Sequence, residues 1–160
     1  MTVPSDLPER SRLVHRHLTQ AGIDSGIRVL PDSARTAQEA ASAIGCDVAA
    51  IANSLIFLAD GESVLVMTSG GHRADLEALK LNIGAAEVVM APVSVVRSAT
   101  GQAIGGVAPI GHPAPIRTFI DEALQEHEEL WAAAGHPHTV MPLTFDQLRR
   151  VTDGTVIAVV

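Results

Sequence analysis

Few residues in this 160-residue chain have types and spacing that could do chemistry. There are seven histidines and one cysteine. His15 and His17 lie two apart on a helical stretch and so face different ways. His136 and His138 converge only if the chain is extended between them. No Glu or Cys at metal-ligand spacing accompanies any of the seven, so no metal site is expected. Cys46 sits in "AIGCDVAA", where the neighbouring Asp47 raises a thiol pKa rather than lowering it. It is expected to be a small core residue near a helix end, not a nucleophile.

Three further features carry candidate chemistry. Asp121 closes an apolar strand, either as an orienting carboxylate in a cleft or as a cap for the turn into "EALQ". "TSGGHR" (68–73) leaves a strand and enters a helix. Its glycines, Gly70 and Gly71, allow close backbone approach, and the helix start offers unpaired N–H groups to an anion. A plain strand-to-helix turn accounts for the same residues. "GQAIGGVAPIGHPAP" (101–115) holds four glycines and three prolines in fifteen residues. It cannot be a helix interior, where each Gly costs about 1 kcal/mol and each Pro about 3. Adjacent glycines expose amide donors, which suit a carbonyl or oxyanion, or simply turn a corner. No Walker A spacing is present, so a nucleoside triphosphate site is not expected.

The elements that must position these residues are legible from pattern. Asp6 and Glu9 have capping-box spacing ahead of a stripe formed by Leu7, Val14, Leu18 and Ala21. "IRVLP" (27–31) predicts a strand. Thr36 and Glu39 announce a second helix that ends at Gly45. Two apolar runs joined at Asp60-Gly61 predict a β-hairpin. "RADLEALKLNIG" predicts a helix ending at Gly84, "AEVVMAP" a short strand, and 92–99 a further helical turn or two. "IRTFID", "LWAAAG", "TVMPL" and "TVIAVV" predict strands. A helix capped by Thr144 and Gln147 precedes the last of them, with Leu143 and Leu148 at hydrophobic-staple spacing. Strands and helices mix without a regular βαβ repeat, so the expected class is α+β, one domain over 1–160 around a mixed, barrel-like sheet.

Composition narrows the function. The apolar fraction is 47%, yet the aromatics are only Phe57, Phe119, Phe145 and Trp131. The core must be aliphatic, and a base-stacking platform is not expected. Net charge is −7 and the pI about 5.4, which argues against a general nucleic-acid or DNA binder. Arg28, Arg35, Arg73 and Lys80 are the basic residues nearest the candidate motifs. No run reaches the roughly 18 apolar residues of a membrane span, and no signal core opens the chain, so a cytoplasmic protein is expected.

Seven segments, taken in order, resemble one family. They are "TAQEAASAIGC", "IANSLIF", "TSGGHRADLEAL", "GQAIGGVAPIGHP", "TFIDEAL", "LWAAAGHPHTV" and "LTFDQLRRVTDGTV". Together they are similar to the YbaK/EbsC family, free-standing relatives of the editing domain of bacterial prolyl-tRNA synthetases. The resemblance covers about 36–156. It implies a compact mixed α/β fold and hydrolysis of the ester in wrongly charged aminoacyl-tRNA, such as Ala or Cys on tRNA for proline. It implies no cofactor, the 3′ end of aminoacyl-tRNA as partner, and prolyl-tRNA synthetase as a possible second partner. The family commonly carries Lys followed by Ser or Thr in the strand motif, where this chain has Asn53 and Ser54. By this resemblance Asn53, Gly106 and Val107 are the catalytic candidates. Ser54, Gly70, Gly71, His72, Gly105, Ala108, Pro109, Asp121, Gly135 and His138 are the substrate-binding candidates. A non-catalytic binder of a small aminoacyl-type ligand or a protein partner, keeping the same pocket, is the alternative.

Overall fold

The computed structural model describes residues 7–24, 26–31, 34 and 36–160. In chain order the elements are α1 (Glu9–Gln20), β1 (Arg28–Val29), α2 (Ala37–Ile44), β2 (Ile51–Ala59), β3 (Glu62–Ser69), α3 (Leu76–Ile83) and β4 (Val88–Met90). There follow α4 (Val93–Thr100), β5 (Arg117–Asp121), β6 (Leu130–Ala133), β7 (Thr139–Leu143), α5 (Phe145–Thr152) and β8 (Thr155–Ile157). Short 3-10 turns at Val48–Ala50 and Glu122–Glu126 lead into β2 and out of β5. The class is α+β.

Local chemistry sets most boundaries. The Thr36 hydroxyl accepts from the Glu39 amide at the start of α2. Thr144 and Gln147 form a complete capping box on α5, with Leu143 and Leu148 buried on either side of it. Asp60 and Gly61 both take positive φ, which makes the tight turn between β2 and β3. Helix α1 begins at Glu9 with Pro8 in the cap position. Asp6, the expected cap, lies outside the described residues.

The eight strands make one mixed sheet in the order β1-β7-β6-β2-β3-β5-β8, with β4 added to the far end of β2. Side chains alternate between its faces. One face carries Ile51, Trp131 and Val140, packed with Leu30 and Ala41. Further along the same face lie Phe57, Val64, Val66 and Phe119, under Leu79 and Ile83 of α3. The opposite face carries Ala52, Ile56, Leu65, Met67, Ile120, Ala132 and Met141 beneath α1, α4 and α5. Leu18, Leu79 and Leu148 have no exposed surface. Truncating any one of them to Ala costs about 2–5 kcal/mol.

The pairing of β2 with its neighbours creates the site. It runs antiparallel to β3 along its whole length. On its other edge it pairs with β6 only at Ile51 and Ala52, and with β4 only from Phe57 to Ala59. The Ala91 amide donates to the Ile56 carbonyl. Ser54 falls in the gap, so its backbone groups have no strand partner on that edge.

Candidate active site

A cavity of about 290 Å³ opens where β2 and β6 part. Helix α2 and the segment before it supply Ala34, Ala37 and Ala40 as one wall, and Trp131, Ala133 and Val140 form the floor. Asn53, Ser54 and Leu55 of β2 form a second wall. Ile104, Gly105 and Val107 of the Gly/Pro-rich loop close the third side. Among the described residues no charged side chain lines it. The volume is at the small end for ligand pockets.

The polar groups facing this space are few. Asn53 is half-buried, and its amide side chain has no partner among the described residues. The Gly105 and Val107 amides likewise have no acceptor among the described residues. Ser54 donates its hydroxyl to Met67 Sδ at 3.1 Å, a weak acceptor.

The loop is held in place by side chains. Gln102 is 2% exposed. Its Oε1 accepts from the Ala108 amide at 2.7 Å, and its Nε2 donates to the Ile110 carbonyl at 3.4 Å. Thr100 Oγ1 accepts from the Gln102 amide at 3.0 Å and donates to the Val96 carbonyl at 2.7 Å, which ties Gln102 to the end of α4. His112 Nε2 lies 2.8 Å from the Ala108 carbonyl. Burial lowers the His112 pKa from its ordinary 6.5, and His17 lowers it further, against the effect of that hydrogen bond. Facing a carbonyl oxygen, His112 Nε2 is the donor. Both polar groups of Ala108 are thus fixed by side chains, and Gln102 acts like a neighbouring strand for a loop that has none.

The structure divides the expected site residues. Asn53, Ser54, Gly105 and Val107 line the one cavity. Gly106 backs it, and only hydrogen fits there, because a Cβ would stand 2.6 Å from the His136 carbonyl carbon and 2.7 Å from the Pro137 nitrogen. Its amide donates to Ala103 O at 2.9 Å. The expectation that Gly106 offers a donor is therefore corrected: Gly105 and Val107 carry the open amides. Ala108 is sealed, with its amide consumed by Gln102. Pro109 borders a different hollow, beside His17 and His112.

Gly70 and Gly71 do not reach the cavity. A Cβ on Gly70 would meet the Val48 carbonyl at 2.6 Å, and one on Gly71 would meet Ala49 at 3.0 Å. They let the 3-10 turn lie close over the end of β3. Gly135 has φ +95° and faces the Arg10 carbonyl of α1, 2.9 Å from a would-be Cβ. The His138 ring lies 5.6 Å from that of His136. Neither ring lines the cavity, although Pro137 and Thr139 do.

Asp121 is 1% exposed and both its oxygens are engaged. Its Oδ1 caps the turn through the Ala123 amide at 3.0 Å. Its Oδ2 accepts from the Ser69 amide at 2.9 Å and pairs with His72 Nε2. This pair borders a separate hollow with Glu122, Gln125 and Glu126. Strand β3 stands between β2 and β5, which keeps Asp121 out of the Asn53 cavity. Around Cys46 burial pushes the thiol pKa up, and the carboxylates of Asp47 and Glu129 add to that.

Sequence reasoning missed the alanine wall, Trp131 and Gln102. Gln102 had a signal, since it is the sole side-chain amide in a fifteen-residue run of Gly, Pro and small apolar residues.

The model of the aminoacyl-tRNA editing domain matches residues 31–151. A protein of Bacillus subtilis, the uncharacterized protein YwhH, is 28% identical over 136 residues, covering 84% of this chain and 86% of its own. The proline–tRNA ligase of Lysinibacillus sphaericus is 28% identical over 95 residues, 59% of this chain but 16% of the ligase. A crystal structure of a candidate trans-editing enzyme for prolyl-tRNA synthetase superposes with a TM-score of 0.90 at 36% identity, over 96% of this chain and 98% of that one. With that match over most of its length and the shared fold, the chain belongs to the aminoacyl-tRNA editing domain family.

Proposed function

We propose that the protein is a trans-editing deacylase that hydrolyses the ester between a small, wrongly attached amino acid and the 3′ end of tRNA. The proposed substrate is Ala or Cys on tRNA for proline, and the proposed setting is the cytoplasm alongside prolyl-tRNA synthetase. One observation carries the reading: an uncharged cavity of about 290 Å³ is bordered by Asn53 and by the open Gly105 and Val107 amides, in a chain of the editing family. The apolar walls accept a short aliphatic or thiol side chain and disfavour a charged one, whose unpaired burial is costly.

Water adds to the ester carbonyl carbon, and the oxyanion that forms accepts hydrogen bonds from the Val107 and Gly105 amides. The ester C–O bond then breaks. The ribose oxygen leaves with the proton released from the attacking water, giving free amino acid and uncharged tRNA. Asn53 orients the ester or the substrate amine with a neutral amide. With no ionisable side chain among the described lining residues, the proton passes through water or the neighbouring ribose hydroxyl.

That same lack favours a second reading, a binder that holds an aminoacyl-type ligand without turnover. A panel of mischarged tRNAs separates the two. Release of amino acid above the spontaneous rate, greatest for a small residue on proline tRNA, supports the deacylase. Saturable binding with no release on any member of the panel rejects it.

A further inference from the structure

The cavity accommodates an aminoacyl group, so the nucleotide that carries it must lie across the rim. Four basic residues near the motifs are available to meet its phosphate. Arg35 lies outside the described residues. Lys80 is spent on Glu77 at 3.7 Å. Arg73 belongs to the β3–α3 turn, on the side of His72. Arg28 is different. Its guanidinium carbon stands 4.7 Å from the ring centre of Trp131, and Trp131 is buried and forms part of the cavity floor.

The strand register puts Arg28 in line with the site. Arg28 pairs with Val140, and Val140 with Ala133. Strand β6 joins β2 at Trp131–Ile51 and Ala132–Ala52, one residue before Asn53. Arg28, Val140 and Ala133 therefore form one row, and Asn53 stands on the same face across the cavity. Two strand spacings separate Arg28 from Ala133, about 10 Å between Cα atoms, and the arginine side chain shortens that gap. Arg28 is exposed and takes part in neither ion pair found among the described residues, His72–Asp121 and Lys80–Glu77. Stacking on an indole holds a guanidinium flat and leaves its edge N–H groups free, the geometry that suits a phosphate. In a chain of net charge −7, a cation so fixed beside an uncharged cavity is a local exception to the overall field.

We propose that Arg28, held on Trp131 at the rim of the cavity, binds the phosphodiester that links the terminal adenosine of the tRNA acceptor end to the nucleotide before it. This rests on the deacylase reading of the cavity. The amino acid is carried on the ribose 2′ or 3′ oxygen and the phosphate on its 5′ carbon. One sugar thus reaches from the Asn53 side of the cavity towards Arg28.

Two non-hydrolysable probes separate charge recognition from packing: 3′-alanylamido-adenosine, without a phosphate, and 3′-alanylamido-cytidylyl-adenosine, with one phosphodiester. Trp131 is the single tryptophan, so its fluorescence reports binding of both to the full chain. Arg28→Gln keeps a planar group for the indole and removes the charge. It is expected to weaken the phosphate-bearing probe by about three- to tenfold, the scale of one exposed to partly desolvated ion contact. Binding of the phosphate-free probe should stay within twofold. The salt slope of the phosphate-bearing probe should fall by about 0.7, one single-strand phosphate. Equal weakening of both probes assigns Arg28 to packing and overturns the proposal, as does no weakening of either. Failure of both probes to bind the wild-type chain overturns it too. Deacylation of charged tRNA is scored separately: bound probes without turnover reject the deacylase and leave the Arg28 site standing.

Discussion

Removing the Gln102 side chain should loosen the wall that carries the open amides. In Gln102→Ala the Ala108 amide loses its acceptor at 2.7 Å, and Ala108 has no exposed surface through which water could replace it. An unsatisfied buried donor costs about 1–3 kcal/mol. The bond to Ile110 is long, 3.4 Å, and adds little. The vacated volume of the truncated side chain adds roughly 1 kcal/mol. The total is about 2–4 kcal/mol, or about 4–16 °C in Tm for a domain of this size. Thermal unfolding followed by circular dichroism reads this directly. In the deacylase assay kcat should fall by about one to two decades, less than the 10²–10³ typical of losing a whole oxyanion donor, because the Val107 amide is displaced and not deleted. KM should change less than kcat, since the apolar walls are untouched. A Gln102→Ala protein with unchanged Tm and unchanged kcat would refute the idea that this side chain holds the loop.

Asn53→Ala should lower deacylation by one to three decades with normal folding, and Asn53→Lys should keep or raise activity on tRNA bearing a small amino acid; full activity in Asn53→Ala removes the role given to this residue. Gly106→Ala places a Cβ 2.6–2.8 Å from the His136–Pro137 backbone; neither side can swing away, so unfolding in urea should show a loss of about 1–3 kcal/mol, the usual range for overpacking. His112 has a folded pKa below its ordinary 6.5, so the unfolded chain takes up the proton first as pH falls. Its contribution is neutral above pH 6.5 and destabilising as pH drops below it. Comparing His112→Gln with wild type in urea at pH 7.5 and pH 5.5 should show a smaller acid-induced loss in the variant; parallel losses count against this linkage.

Where a signal was local, the sequence carried it. Asp60-Gly61, the Thr144 capping box and the glycines after α2 and α3 each act within four residues, and each sits where the pattern puts it. The family motifs also brought Asn53 and the loop to the same space. The motif residues divide among several hollows because their spacing along the chain does not encode which strand lies between them. Asp121 and His72 are 49 positions apart, and Asp121 turns to the Ser69 amide at the end of β3 instead of towards Asn53. Gly70, Gly71 and Gly135 were named as substrate-binding candidates, whereas each is a close-packing point against a segment distant in sequence or across a turn. The contact between Arg28 and Trp131 spans about a hundred positions and depends on β1 lying beside β7, which no local pattern announces.

The short parallel seam between β2 and β6 also bears on the order in which the molecule assembles. The β2–β3 hairpin closes through a two-residue turn, and hairpins form in about 1–10 μs. The seam joins Ile51 to Trp131 and Ala52 to Ala132, a loop of about eighty residues whose closure entropy must be met before the contact returns anything. The hairpin is thus expected to be native-like in the folding transition state, with the cavity floor docking later. Substitutions in that floor or in the loop over it, such as Gly106→Ala, should accelerate unfolding far more than they slow folding. A chevron plot would show them on the unfolding arm, while Leu65→Ala in the hairpin would shift the folding arm. The pocket would then be the part of the protein that opens first and closes last.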